Sequence, residues 1–254
     1  MKRAIHNGAI CALVGLLAGC GGSGDGDGDG GSPAPGQPSQ GPTTYTPGTP
    51  VAGATDIFKI TSVDDSNNTI NVGYTQQVQS VSGTHSYVLT QVDPTNVSPI
   101  VNGIDYHFDA TTLTFDQGSE SALTDTSATG SVQTCSFALQ SGGHPSPWYV
   151  GQTFTVATQE SCSPGDVRSI TESGTVVSLE PVTVAAGTFS ALKLQTTEVW
   201  TENGQTVTEQ ITHWVDPARW FFTIKTVTTF ARSGNVPAHA VTMRTVELQS
   251  RSGG

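Results

Sequence analysis

The chain has 254 residues, of which only 12% are charged, and its formal net charge at pH 7 is −11. An acidic chain whose 10 Lys and Arg residues are scattered is a poor partner for nucleic acid or anionic lipid head groups, so we expect neither as a direct ligand. Residues 51–254, which remain once a leader and a linker are set aside, are enough for a single β domain with a sizeable core.

The N-terminus has two basic residues at positions 2 and 3, an apolar run over Ile10–Leu17 and then Leu17-Ala18-Gly19-Cys20. The apolar run is too short to span a bilayer as a helix. The final four residues resemble the lipobox of bacterial lipoproteins, which implies cleavage before Cys20 and acylation of its thiol. We therefore predict a signal peptide over residues 1–19 and a lipid bilayer anchor at Cys20. The alternative is an ordinary secretory signal that ends in a Cys by chance.

Residues 20–50 are predicted to be the lipidated Cys and a disordered tether, because Gly and Pro fill 16 of the 30 positions after Cys20. Gly21 stands where an Asp would resemble an inner-membrane retention signal. In a host with two membranes we therefore expect an outer-membrane lipoprotein that faces the periplasm or the cell surface. Asp25–Gly30 copies the start of a calcium loop, but the twelfth position is Gly36 rather than a carboxylate, so no metal site is predicted.

The chain has four cysteines. Cys11 lies in the leader and Cys20 in the lipobox, which leaves Cys135 and Cys162. An even pair in an exported domain predicts a disulfide, which would stabilise the domain by about 3–4 kcal/mol. The alternative is a redox-active pair, although the C-x-x-C spacing of such sites is missing.

From Asp56 onward, short runs rich in Val, Thr, Ile, Phe and Tyr alternate with Gly, Asn, Asp and Pro. Examples are Asp56–Val63, Thr69–Gln79, Ser86–Val92, Ser131–Leu139, Trp148–Ala157, Val167–Leu179 and Trp220–Phe230. Because no stretch of ten or more residues has a helical period, the pattern predicts an all-β domain. Its antiparallel sheet is expected to form a sandwich, a barrel or a half-barrel.

The strongest local signal is Asn203-Gly204, a pair that favours a two-residue hairpin turn. It predicts strands over Lys193–Thr201 and Thr206–Val215, with Trp200 opposite Val207. One face then carries more apolar area and should point inward. Its members are Leu194, Thr196, Glu198, Trp200, Val207, Glu209, Ile211 and His213.

This register places Glu198 directly opposite Glu209. Two facing carboxylates raise the pKa of one of them, and His213 lies on the same face, so the three could form an acid–base or metal site. We favour two structural explanations instead. Either the glutamates reach past the core into water, or a bulge shifts the register to separate like charges.

A second candidate is Asp105-Tyr106-His107-Phe108-Asp109, where strand alternation places Asp105, His107 and Asp109 on one face. These side chains could hold a divalent metal, but a solvated strand face has the same pattern and is our preferred interpretation. No compact catalytic motif is present, so we assign no catalytic residue and no cofactor.

Three segments of the C-terminal half are P-W-Y-V-G-Q-T-F at 147–154, E-P-V-T-V-A-A-G-T-F-S-A-L-K-L at 180–194 and H-W-V-D-P at 213–217. They resemble an uncharacterised family of exported bacterial β domains with V-P-A-G-T-F and W-Y-A-P-G-x-G-x-V-K motifs. The resemblance implies a strongly curved antiparallel sheet of half-barrel type and no catalytic residues. Ala185 replaces the family's Pro, and Ala218-Arg219-Trp220-Phe221-Phe222 replaces its Gly-rich turn.

Together these features predict a membrane-anchored envelope lipoprotein whose β domain binds a protein partner or an apolar ligand without catalysis. Trp220, Phe221 and Phe222 are the candidate ligand-binding residues, because alternation sends Phe221 to one face of the strand and its two neighbours to the other. The alternative is an envelope hydrolase that acts on glycans or esters and depends on His213 or His107.

Overall fold

The computed structural model describes residues 42–45, 51–82, 85–93, 108–116, 120–127, 132–143, 147–162, 166–202, 204–219, 222–236 and 240–253. The predicted signal peptide, Cys20 and most of the predicted tether lie outside these ranges. Within them the secondary structure is entirely β. No helix in these ranges is long and apolar enough to cross a bilayer.

The described part of the chain forms fourteen strands. They are β1 Thr44–Tyr45, β2 Thr55–Asp64, β3 Thr69–Ser82, β4 His85–Asp93, β5 Phe108–Asp116, β6 Glu120–Ser127, β7 Val132–Gly142, β8 Trp148–Tyr149, β9 Thr153–Cys162, β10 Asp166–Val184, β11 Gly187–Glu202, β12 Gln205–Asp216, β13 Phe222–Ser233 and β14 Val241–Ser252.

Twelve of these strands form one antiparallel sheet in the order β10-β11-β12-β13-β14-β2-β3-β4-β5-β6-β7-β9. Because β9 pairs with β10 as well as with β7, this order closes on itself. The expected class, an all-β domain built on a strongly curved antiparallel sheet, is confirmed.

At one end of the domain, strands that are not neighbours in the sheet pack directly on each other. Val184, Ala186 and Phe189, around the β10–β11 turn, pack against Phe58, Val246 and Leu248 of β2 and β14. The backbone N–H of Ala186 donates to the carbonyl of Leu248 at 3.3 Å. These two groups of side chains are therefore in direct contact with each other.

A second apolar cluster lies at the β8–β12 side of the domain. Its buried members are Trp148, Phe154, Val156, Val176, Leu192, Leu194 and Val215. The Trp148 and Phe154 rings meet edge to face, with centroids 5.6 Å apart. Gly174 makes room for this packing, because a Cβ on Gly174 would lie 2.4 Å from Cζ of Phe154.

The strand predicted over Trp148–Ala157 is wrong in one respect, because a turn at Val150–Gln152 divides it into β8 and β9. Gly151 supplies the positive φ of +93° that this turn needs. The short strand β8 then pairs with β1, joining Tyr45 to Trp148. Thr44 and Tyr45, predicted as part of the tether, are thus bound to the domain.

The β11–β12 hairpin forms with the predicted register. Glu202 pairs with Gln205, Trp200 pairs with Val207, and Gly204 has a φ of +76°. All eight residues assigned to the inward face are buried, and Val199 on the opposite face is exposed. The turn signal and the alternating pattern were therefore enough to assign the eight inward-facing side chains to their correct face.

Candidate functional site: a buried row of glutamates

Three glutamates lie side by side on adjacent strands inside the domain. Glu172 of β10 pairs with Glu198 of β11, which pairs in turn with Glu209 of β12. Their exposed fractions are 6%, 5% and 0%. Directly opposed residues on antiparallel strands have Cβ atoms about 4.5–5.5 Å apart, so like charges are forced together in a region without bulk water.

Both structural explanations favoured from the sequence are wrong. The glutamates do not reach past the core into water, because Glu198 and Glu209 are buried. No bulge separates them either, since the β11–β12 register runs without a shift from Leu192–Val215 to Glu202–Gln205. The opposed carboxyl groups are therefore a real feature of the fold, and other groups must compensate for their charge.

Glu209 is held by an aromatic donor and faced by two arginines. The indole Nε1 of Trp200 donates a hydrogen bond to Oε1 of Glu209 at 2.9 Å. Oε2 of Glu209 is buried and has no hydrogen-bond partner among the described residues. Phe230 is the β13 neighbour of Glu209, and the guanidinium groups of Arg232 and Arg244 lie 4.9 and 5.3 Å from its ring centroid. Stacking on this ring places both cations near the carboxylate.

A third arginine compensates the β9–β10 side of the row. Arg168 forms an ion pair with Glu160 at 3.3 Å, and only 7% and 2% of their side-chain surfaces are exposed. The Arg168 guanidinium also stacks on the Trp200 ring, 5.0 Å from its centroid. Trp200 therefore contacts this cation through its face and the Glu209 carboxylate through its N–H.

Burial raises the pKa of Glu198 well above its usual value, and the negative charges of Glu209, Glu172 and Glu160 raise it further, while Arg168 lowers it. Burial also raises the pKa of Glu209. There the Trp200 hydrogen bond and three arginines oppose the rise, so Glu209 gives up a proton more readily than Glu198. Of the two facing carboxyl groups, Glu198 is therefore the one whose surroundings favour the protonated form more strongly.

His213 does not join this group. It is buried two inward-facing positions further along β12, and its Nδ1 lies 3.2 Å from the hydroxyl oxygen of Thr226. Four residues of extended strand separate its Cα from that of Glu209 by about 13 Å. The Glu198/Glu209/His213 acid–base or metal site considered from the sequence is therefore wrong as a single site, although Glu198 and Glu209 do meet.

Only some of the other candidate site residues predicted from the sequence lie among the described residues. Cys20, Asp105, His107, Trp220 and Phe221 lie outside the described residues. Phe222 is the first residue of β13, where its backbone pairs with Asp216. Asp109 lies in β5. In the described part of the chain, no three His, Cys, Asp or Glu side chains are grouped so that they could hold a metal ion.

Cys135 of β7 and Cys162 of β9 are direct cross-strand partners. Opposed Cα atoms in antiparallel strands are about 4.5–5.5 Å apart, which lies within the reach of a disulfide. The register thus brings the two residues together, and the bond itself remains a prediction.

The sequence predictions missed Glu160, Arg168, Glu172, Arg232 and Arg244. The sequence analysis assigned no role to these charged residues, whereas Glu172 belongs to the glutamate row and the other four act on it. One signal was available. Glu172 has the same parity as Ile170 and Val176 in β10, so it shares their inward face up to the bulge after Val176.

Fold and site together define the class of this protein as an all-β domain with a buried charged cluster. No family model and no curated protein matches the chain. Two crystal structures are similar in part, and both superpose with a TM-score of 0.48. The first is a protein from Parabacteroides distasonis provisionally named a lipoprotein, which is 13% identical and covers 84% of this chain and 100% of its own.

The second is a protein from Bacteroides fragilis provisionally named an exported protein with a YmcC-like fold. It is 9% identical and covers 83% of this chain and 99% of its own. At this level of similarity neither structure informs the function of the present chain.

Proposed function

We propose that this chain is a cell-envelope lipoprotein, anchored through acylated Cys20, whose β domain binds a protein partner or an apolar ligand without catalysis. The proposal that the domain acts without catalysis rests on one structural observation. The best acid–base candidates in the described residues, Glu198 and Glu209, are enclosed by the domain's own side chains.

A general acid must come within hydrogen-bond reach of its substrate. Glu209 is fully buried, and its Oε1 already accepts from Trp200. Arg168 covers the other side of the Trp200 ring. Exposing Glu209 to a glycan or ester would break the buried ion pair between Arg168 and Glu160. This cost argues against the alternative of an envelope hydrolase.

The proposed membrane anchoring through Cys20 is supported by the lipobox and by the Gly/Pro-rich segment that follows it. Replacement of Cys20 by Ala should move the protein from the membrane fraction to the soluble fraction. Cys11→Ala is the matched control, since it changes a cysteine of the leader and should leave the protein with the membranes. A Cys20→Ala protein that still sediments with membranes after a salt wash would show that the lipobox interpretation is wrong.

For binding, we propose the segment Trp220, Phe221 and Phe222 as the contact surface. The turn at residues 217–219 precedes this segment. A hydrogen bond stabilises the turn, because the N–H of Ala218 donates to the Asp216 carboxylate at 3.0 Å. Arg219 forms an ion pair with Asp56 at 3.7 Å. A fixed turn can present large side chains at low entropic cost.

The binding experiment is crosslinking in cells followed by co-purification. Trp220→Ala combined with Phe222→Ala, or Phe221→Ala alone, should weaken capture of the partner and leave the thermal unfolding curve nearly unchanged. The control is Val199→Ala, an exposed apolar residue on the outer face of β11. If a variant loses thermal stability to the same extent as partner capture, these aromatic residues belong to the core rather than to a binding surface. Ester or glycan turnover that disappears with His213→Ala would support the hydrolase instead.

A further inference from the structure

The buried cluster contains more acids than bases. Among the described side chains that act on the glutamate row, four are carboxylic acids and three are guanidinium groups. The acids are Glu160, Glu172, Glu198 and Glu209, and the bases are Arg168, Arg232 and Arg244. Asp65 also acts on Arg232, but it lies on the exposed β2–β3 turn. If every buried acid were ionised, one negative charge would remain uncompensated in the interior, which is strongly unfavourable.

The same cluster contains an acceptor that lacks a donor. Oε1 of Glu209 accepts from Trp200, but Oε2 is buried without a hydrogen-bond partner among the described residues. Glu198 is the cross-strand partner of Glu209. An ionised Glu198 could only accept hydrogen bonds, whereas a protonated Glu198 carries the O–H donor that Oε2 lacks.

We propose that Glu198 and Glu209 form a carboxylic acid–carboxylate pair that holds one proton at neutral pH, with Glu198 donating to Oε2 of Glu209. One proton satisfies the unpartnered oxygen and also balances the four acids against the three guanidinium groups. The ligand of this site is therefore the proton itself.

The neighbours determine which partner keeps the proton. Glu198 faces Glu172 and Glu160 in addition to Glu209, and Arg168 lowers its pKa. Glu209 is acted on by Arg244, Arg232 and Arg168 and accepts from Trp200. The proton therefore resides on Glu198, and the negative charge resides on Glu209 near its cations.

This assignment sets the sign of the pH dependence. The pKa of Glu198 in the folded protein lies above the ordinary value of 4.5. Between the two values, the folded state holds a proton that the unfolded state has lost, so stability falls as pH rises. Over this window, the equilibrium constant for unfolding should increase about tenfold per pH unit because of this group. Above the folded pKa, the dependence should level off.

The direct test is NMR of the purified full chain labelled with ¹³C at the glutamate carboxyl carbon. At neutral pH, one glutamate should give the signal of a protonated carboxyl, and that signal should be missing in Glu198→Gln. A wild-type spectrum in which every glutamate is ionised at neutral pH would overturn the proposal. This measurement needs only the wild-type protein, so it remains decisive even if a variant fails to fold.

The second test is urea unfolding across pH. Glu198→Gln places a neutral amide donor opposite Oε2, so its unfolding constant should lose the tenfold-per-unit dependence that the wild type shows. Glu180→Gln is the matched control. Its carboxyl is on the outer face, where hydrogen bonds from Trp214 and Ser178 lower its pKa, so it is ionised in both states throughout the window. A Glu198→Gln protein with the same pH dependence as the wild type would also overturn the proposal.

Discussion

Replacement of Trp200 by Phe tests whether the buried carboxylate depends on its aromatic donor. The change keeps a ring beneath Arg168 and removes the N–H that donates to Glu209 at 2.9 Å. A hydrogen bond to a charged group contributes about 1.5–3 kcal/mol, and the smaller ring leaves a cavity that costs about 1 kcal/mol more. We therefore expect the free energy of unfolding at neutral pH to fall by about 2.5–4 kcal/mol.

The loss should depend on pH in a defined direction. The Trp200 hydrogen bond is the largest influence that lowers the pKa of Glu209, so removing it raises that pKa further. A carboxyl whose folded pKa is raised loses stability as pH rises through the window above 4.5. The deficit of Trp200→Phe relative to the wild type should accordingly be smaller at about pH 5 than at about pH 8. Urea unfolding followed by far-ultraviolet circular dichroism measures both values, with an unchanged m-value as the check for two-state behaviour.

Trp214→Phe is the matched control, because it makes the same chemical change at an exposed carboxylate. The Nε1 of Trp214 donates to Oε1 of Glu180 at 2.7 Å, and 34% of the Glu180 side-chain surface is exposed. Water can replace that donor, so the two variants should differ by about 1–2 kcal/mol at neutral pH. Equal losses in the two variants, or a Trp200→Phe deficit that does not change with pH, would refute the reasoning.

Two further predictions concern the packing at Gly174 and the cysteine pair. Gly174→Ala should lower the free energy of unfolding by about 1–3 kcal/mol, because the new Cβ would overlap the Phe154 ring. Gly143→Ala, which has no atom within 4 Å of the new Cβ, should cost less, and an equal cost in thermal unfolding would contradict the packing argument. For Cys135 and Cys162, mass spectrometry of the alkylated native protein should find the two thiols blocked until reductant is added. Two free thiols in the native protein would show that the disulfide prediction is wrong.

The sequence predicted local pairing well because the information for it is local. Asn203-Gly204 limits the hairpin to one register, and alternation then places Glu198 opposite Glu209. The division at Val150–Gln152 was missed because residues typical of strands lie on both sides of Gly151-Gln152 within Trp148–Ala157. Only the positive φ at Gly151 reveals the turn.

The composition of the charged cluster could not be predicted in the same way. Arg244 reaches the glutamate row through the pairing of β13 with β14, and a connection of seven residues separates those strands. A connection of that length does not determine a register as a two-residue turn does. The side chain of Arg244 is buried beside Ser62, a residue 182 positions away in the chain. Alternation alone treats such a residue as solvent-facing, and only the closed strand order shows that its face is internal.

The pairing of β1 with β8 also determines where a mechanical load would enter the domain. Tension from a membrane anchor would reach the fold first at β1, which is bound by two residue pairs and by the packing of Tyr45 against the Trp148 cluster. The next strand, β2, pairs with β3 at nine positions and with β14 at ten. The two-residue strand should therefore detach first, before β2 separates from its two neighbours. The β1–β8 pairing would thus separate at a lower tension than the pairings of the twelve-stranded sheet.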